Sequence, residues 1–364
     1  MRAGFRLESW SSGGRVGHAP VLVMLIGLAL ATVTAVGSAP SVGQEPQKEP
    51  VPAIVAQVDL VNVEVTVTNE RGDFIAGLKR ENFRVFDNGV EQPVTHFAPI
   101  EAPAQVLVLV ETSPAVYLIH RQHLAAAHAL LENLAIDDQV ALATYDQSAR
   151  LAVNLSPDKQ ALAHALGGLR YSLGSAELNL FDGLSNALDW LATGQDKQAI
   201  VLLSTGLDTS GAGSWQRLTA KLRGSRVVVF PVALGGELRS AKKVPGKTRA
   251  AQESRGQDQE LSFAKADRSL EQIAELTGGQ AYFPGDAREF AAIYQQIARR
   301  LRNQYSLGFS PPARDGMVHR IEVQIVGDVP ACVALKKARK SRESEAATNT
   351  CRVRSRQEYI ASAR

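Results

Sequence analysis

Apolar and polar residues recur with two different periods along this chain, and the change of period divides it. Val61, Val63, Val65 and Val67 alternate with Asn62, Glu64, Thr66 and Thr68, the two-residue period of a half-buried strand. Asp87-Asn88-Gly89 separates Phe83 to Phe86 from the run Val90 to Phe97, which predicts a hairpin. At the other end, Tyr305 to Ser310, His319 to Val326 and Cys351 to Ile360 also read as strands. Neither end holds enough strands for a sandwich of its own. The expectation is one small β-sandwich built from both, residues 58–101 and 305–364, with another domain inserted between them.

The inserted segment, 102–304, alternates strand and helix. Val106 to Val110 is an uninterrupted apolar run that ends in Glu111-Thr112-Ser113-Pro114-Ala115, the pattern of a parallel strand buried on both faces. A helix follows from Val116, with Leu124, Ala127, Leu131 and Leu134 at spacings of three and four. Further strands fall at Gln139 to Tyr145, at Leu151 to Leu155 as an antiparallel edge, at Ala199 to Ser204 and at Arg226 to Leu234. Helices fall at about Lys159 to Leu169, Leu180 to Leu191, Trp215 to Leu222, Leu270 to Thr277 and around Phe290 to Leu301, with a short strand at Ala281 to Phe283. Residues 237–262 are polar and read as a surface loop. This alternation specifies a doubly wound, Rossmann-like α/β domain, in which ligands bind at the carboxyl ends of the parallel strands.

Composition adds little to the fold and more to the compartment. With 364 residues, 45% hydrophobic and 21% charged, the chain is ordinary for a globular protein. Its net charge of +3 does not indicate nucleic acid, and Arg2, Arg6 and Arg15 contribute to it before an apolar run from Pro20 to Val36. That run gives way to the small residues Gly37 to Gly43, the form of an export signal, residues 1–43. It is short for a membrane span; removal as a signal peptide and retention as an N-terminal anchor both remain open. A Pro-rich linker, 44–57, follows, and either way the folded part is periplasmic or extracellular. Cys332 and Cys351 are the only cysteines, and an oxidising compartment favours closing them as a disulfide over two separate thiols.

Three constellations invite chemistry. Ala241 to Thr248 fits a permissive phosphate-loop pattern, with Lys247 and Thr248 as the residues of a nucleotide hydrolase. It does not directly follow a buried strand, and RAAQESRGQDQE after it has no apolar face. His120, His123 and His128 share a helix, but no two stand four apart as a zinc pair requires. Ser185 and Asp182 lie within a predicted helix, one a surface hydroxyl and the other a first-turn charge. No catalytic set emerges, and the chain is expected not to be an enzyme. Lys336, Lys337, Arg339, Lys340 and Arg342 form a basic segment that is either a solvated loop or a contact for acidic envelope polymers.

The order of elements, and strings such as VTNERGDFIAGLKRENFRVFDNGVEQPVTHF (Val67 to Phe97) ahead of VLVLVETSPA (Val106 to Ala115), resemble the secreted bacterial, acidobacterial-type subfamily of von Willebrand factor type A domains. The resemblance covers Val58 to Ile360. It implies a protein-binding module whose ligand face can hold Mg²⁺ in a metal-ion-dependent adhesion site, with an Asp-x-Ser-x-Ser turn, a Thr and a further Asp as ligands. Here those positions carry Glu111, Ser113, Ala115, Leu178 (with Ser175 and Asn179 nearby) and Thr205, and Asp208 lies three residues on. Most of the oxygens that a hard cation needs are gone. The expectation is a degenerate site that binds another protein without metal through a face of Thr112, Ser113, Pro114, Ala115, Leu178, Asn179 and Thr205. On that reading Ser113 and Thr205 bond the turn backbones and Glu111 is a solvated carboxylate at the sheet's edge. The alternative is an adhesin holding a divalent cation through Glu111, Ser113 and Asp208.

Overall fold

The computed structural model describes residues 60–100, 103–117, 120–171, 177–192, 197–236, 239, 249–286, 288–332 and 351–362. The export signal, the linker, Lys247 and Thr248, Ser175 and the basic segment Lys336 to Arg342 lie outside them. Among the described residues no helix is long and apolar enough to cross a membrane.

The two ends of the chain meet as expected. Strands β1 (Val61–Thr68), β2 (Phe83–Asp87), β3 (Val90–Gln92) and β4 (His96–Ile100) come from the N-terminal side. They combine with four from the far end, β10 (Gln304–Phe309), β11 (Val318–Ile325), β12 (Arg352–Ser355) and β13 (Glu358–Ile360). Two antiparallel sheets result, in the orders β12-β1-β10-β4 and β13-β11-β2-β3. Val63, Val65 and Val67 of β1 point inward onto Phe83, Val85, Tyr305, Leu307, Phe309 and Ile321. The hairpin forms where Asn88 (φ 48°) and Gly89 (φ 81°) supply the left-handed pair that a tight turn between twisted strands needs.

Two single strands in the sequence reading are each two. The run Val90 to Phe97 breaks after Gln92, because Pro93 has no N–H to give a ladder, and the chain leaves one sheet for the other. Cys351 to Ile360 likewise divides into β12 and β13, one in each sheet. Cys332 and Cys351 are bonded, with Cα atoms 4.7 Å apart.

The inserted domain is built on β5 (Ala104–Glu111), β6 (Gln139–Tyr145), β7 (Ala149–Ser156), β8 (Lys197–Ser204) and β9 (Val228–Ala233). The order is β7-β6-β5-β8-β9, all parallel except β7, which is the antiparallel edge. The predicted strand at 281–283 reduces to one parallel bridge, Tyr282 to Val232. A short α1 (Pro114–Tyr117) leads to α2 (His120–Asn133), which shares one face of the sheet with α3 (Lys159–Gly167) and α7 (Glu289–Arg302). The other face carries α4 (Leu180–Leu191), α5 (Ala212–Gly224) and α6 (Arg249–Thr277). Every residue of β8 is buried, as a strand covered on both faces requires. The fold is the doubly wound α/β domain within a β-sandwich that the pattern specified.

The polar loop at 237–262 is corrected over its second half. Helix α6 begins at Arg249, well ahead of the predicted Leu270. Residues 249–262 are rich in Ala, Gln, Glu and Arg and contain no proline, so their own helix propensity extends a helix whose later turns, through Leu270 and Ile273, pack against the sheet.

Candidate functional site

Strand β5 is central, so the turn after it lies between the ends of β6 and β8, and three strands end on residues that meet there. Glu111 closes β5, Tyr145 closes β6 and Ser204 closes β8. Glu111 is fully buried. Its Oε1 accepts from the Ser113 hydroxyl at 2.6 Å and lies 3.0 Å from Thr205 Oγ1. Its Oε2 accepts from the Thr205 backbone N–H at 2.6 Å and lies 2.9 Å from Thr205 Oγ1, 3.1 Å from the Tyr145 hydroxyl and 3.2 Å from Ser204 Oγ. The Tyr145 hydroxyl is also 2.7 Å from Ser204 Oγ, which accepts from the Gly206 N–H at 2.8 Å. Burial pushes the Glu111 carboxyl above its ordinary pKa of 4.5, and the bonds from Ser113, Thr205 and Tyr145 oppose that rise. Burial and the neighbouring Glu111 charge raise the Tyr145 phenol in turn.

Local sequence makes this closure possible. Gly183, in the first turn of α4, faces the Tyr145 ring so closely that a Cβ there would stand 3.0 Å from that of Tyr145. Gly206 (φ 77°) turns the chain sharply after Thr205, and the side chains of Leu270 and Ala266 pack against it. The extra methylene of Glu111, compared with an aspartate, carries its carboxylate across to the β8 turn.

The expectation of a solvated Glu111 at the sheet's edge is therefore corrected. Glu111 sits at the end of the central strand with no solvent exposure, and Ser113 and Thr205 donate to it, while Thr205 Oγ1 also accepts from the Leu207 N–H of the turn at 3.4 Å, as expected. Asp208 is not part of this cluster. Its Oδ2 accepts from the Phe181 N–H at 3.0 Å, and its Oδ1 accepts from Ser210 N at 2.8 Å, Ser210 Oγ at 2.6 Å and Gly211 N at 3.2 Å. It thereby ties the turn after β8 to the start of α4. Among the described residues no group of three His, Cys, Asp or Glu is placed to hold a metal ion.

Of the residues assigned to the ligand face, Thr112, Ser113, Leu178 and Thr205 are buried, Pro114 is exposed and Asn179 is partly exposed. The Thr112 N–H and hydroxyl both donate to Tyr145 O. The Leu178 N–H donates to Thr209 Oγ1 at 2.9 Å, and Asn179 Nδ2 donates to Gln147 O at 2.8 Å. Asp182 pairs with Arg217 at 3.2 Å, and His128 is partly buried.

One functional neighbour was missed in the sequence. Arg239, after β9, donates from Nη2 to Thr205 O at 2.6 Å, from Nη1 to Leu234 O and from Nε to Asp267 of α6 at 2.9 Å. Its guanidinium lies 4.8 Å from the centre of the Phe263 ring. It pins the ends of β8 and β9 to α6 beside the Glu111 cluster. Nothing in the polar stretch sets this arginine apart from Lys242, Lys243 and Lys247; only the position, five residues past Leu234, hints at it.

No family model matches this chain, and no curated protein does. Solved structures do, and each is a likeness of fold alone. A von Willebrand factor type A protein from Catenulispora acidiphila is 13% identical with a TM-score of 0.43, covering 68% of this chain and 70% of its own. A conserved hypothetical protein, BatB, from Bacteroides thetaiotaomicron is 14% identical with a TM-score of 0.37, over 54% of this chain and 98% of its own. An aerotolerance-related membrane protein from Bacteroides fragilis is 13% identical with a TM-score of 0.40, over 54% and 99%. The strand order and the two helical layers described above show the doubly wound α/β class.

Proposed function

We propose that this chain is an exported, non-enzymatic protein-interaction module of von Willebrand A type, in which the Glu111 cluster stands in place of a bound cation. The observation that carries the reading is that both oxygens of Glu111 are already occupied by donors of the protein itself. A Mg²⁺ ion needs about six oxygens with free lone pairs. Ala115 offers none, Ser113 gives its proton to Glu111, and Asp208 is engaged with four backbone and hydroxyl donors. The Ser113 hydroxyl and the Glu111 carboxylate that it meets are both buried, away from any substrate in solution, which supports a binding role. Export is supported by the N-terminal pattern of arginines, apolar run and small residues and by the Cys332–Cys351 bond.

Calorimetric titration with Mg²⁺ and Mn²⁺ tests the central point. The expected result is no saturable heat up to millimolar metal, and capture of envelope proteins that is the same with and without chelator. Saturable heat that disappears in Ser113→Ala would overturn the metal-free reading in favour of an adhesin that uses Glu111, Ser113 and Asp208. Nucleotide hydrolysis abolished by Lys247→Ala would overturn the non-enzymatic one.

A further inference from the structure

A groove of about 380 Å³ opens beside the Glu111 cluster, between the turn after β8, the first turns of α4 and α5, and one side of α6. Its floor is aromatic: Phe181 and Trp215 pack with ring centres 4.9 Å apart, and Leu207 borders them. Its wall is cationic. Lys265 and Arg268 stand exposed on α6, and among the described residues neither forms an ion pair. Of the acids nearby, Asp267 pairs with Arg239 at 2.9 Å, Asp208 on the opposite rim accepts from Phe181, Ser210 and Gly211, and Glu271 is exposed one turn beyond Arg268. An apolar floor beside two exposed cations that form no ion pair complements a ligand that is apolar at its centre and acidic at its flank.

We infer that this groove is the docking site for an extended acidic peptide segment of a partner protein, with one apolar or aromatic side chain seated on Phe181 and Trp215 and carboxylates placed against Lys265 and Arg268. The inference rests on the reading of the chain as an interaction module and names the surface and the partner chemistry. Contact with the cluster is indirect, through Gly206 and Leu207 of the groove wall. The site therefore needs neither a cation nor an open Glu111.

The test uses fluorescence anisotropy with a labelled peptide in which glutamates flank a single Leu-Trp pair. Two further peptides replace the glutamates by lysine or the Leu-Trp pair by Ser-Gly. The acidic Leu-Trp peptide is expected to bind the intact protein saturably and to weaken as salt is raised. It is expected to bind at least tenfold more weakly to the double variant Lys265→Glu with Arg268→Glu, whose surface positions leave the fold intact by circular dichroism. The lysine peptide should not bind, and the Ser-Gly peptide should bind at least tenfold more weakly. Unchanged affinity in the charge-reversed variant, equal affinity for the Ser-Gly peptide, or no saturable binding of the acidic peptide would each overturn the proposal. Cation binding at Glu111 is read by calorimetry and peptide binding by anisotropy, so either idea can fail alone.

Discussion

Replacing Glu111 by alanine and by glutamine separates an internal lock from a carboxylate kept for a ligand. In Glu111→Ala the Thr205 N–H, 2.6 Å from Oε2 in the native chain, becomes a buried donor without an acceptor. Such a group costs about 1–3 kcal/mol. The Ser113 hydroxyl loses its 2.6 Å acceptor, worth about 1 kcal/mol, and the missing methylenes leave a void costing on the order of 1–2 kcal/mol. Tyr145 and Ser204 already bond one another at 2.7 Å and can compensate. The expected loss is therefore roughly 3–6 kcal/mol. Glu111→Gln behaves differently. If its amide nitrogen takes the Oε1 position, its neighbours are the hydroxyls of Ser113 and Thr205, which can rotate to accept, and the amide oxygen still meets the Thr205 N–H. What is lost is the assistance of the charge, and what is gained is that no charge is buried, so the net change should stay within about 1 kcal/mol. Urea unfolding followed by circular dichroism measures both, read from the midpoint at unchanged slope. Glutamine as damaging as alanine, or alanine costing under about 1 kcal/mol, would refute the lock.

Three further outcomes are expected. Arg239→Ala, which strips donors from Thr205 O and Leu234 O, should cost roughly 2–4 kcal/mol and speed amide exchange at Gly206 and Leu207; Arg239→Lys should not restore it, because one ammonium cannot replace the fork. His319 is buried between Asp87 (2.8 Å) and Asp315 (3.3 Å), and although burial works against its charged form, the two carboxylates raise its pKa above 6.5. The folded chain holds that proton more tightly, so its contribution is full below pH 6.5 and fades as pH rises through the raised value; His319→Asn should flatten this limb of the stability curve, and an unchanged limb would remove His319 as its cause. Replacing both Cys332 and Cys351 by serine should lower stability by about 3 kcal/mol on chain-entropy grounds, and equal urea midpoints for the two forms would contradict it.

Burial on a regular element was readable from the residues because a period records it. The run Val106 to Val110 identified a strand covered on both faces, the valines of β1 identified their inward side, and Phe290, Ile293, Ile297 and Leu301 identified the buried side of α7. Features that depend on a single atom or on two distant segments carry no period. Pro93 moves the chain between sheets, the polar start of α6 is helical without an apolar stripe, and Arg239 acts through carbonyls that any polar side chain in its loop could have sought.

Glu111 is the instructive case. Beside an aspartate in the family pattern it reads as a conservative change, one methylene longer with the same charge. At the end of a central strand, that methylene is the distance between facing outward over the turn and reaching sideways to the Thr205 N–H. Once the carboxylate reaches β8, a hydroxyl at position 205 is a better neighbour than the acid the pattern calls for, since two buried carboxylates would repel while Thr205 donates. On the proposed reading Ala115 has no cation to serve, and one internal acceptor with its donors accounts for the residues at 111, 115 and 205 together. The proposed recognition then falls to the surface around the closed end, where the turn after β8 borders the groove of Phe181, Trp215, Lys265 and Arg268.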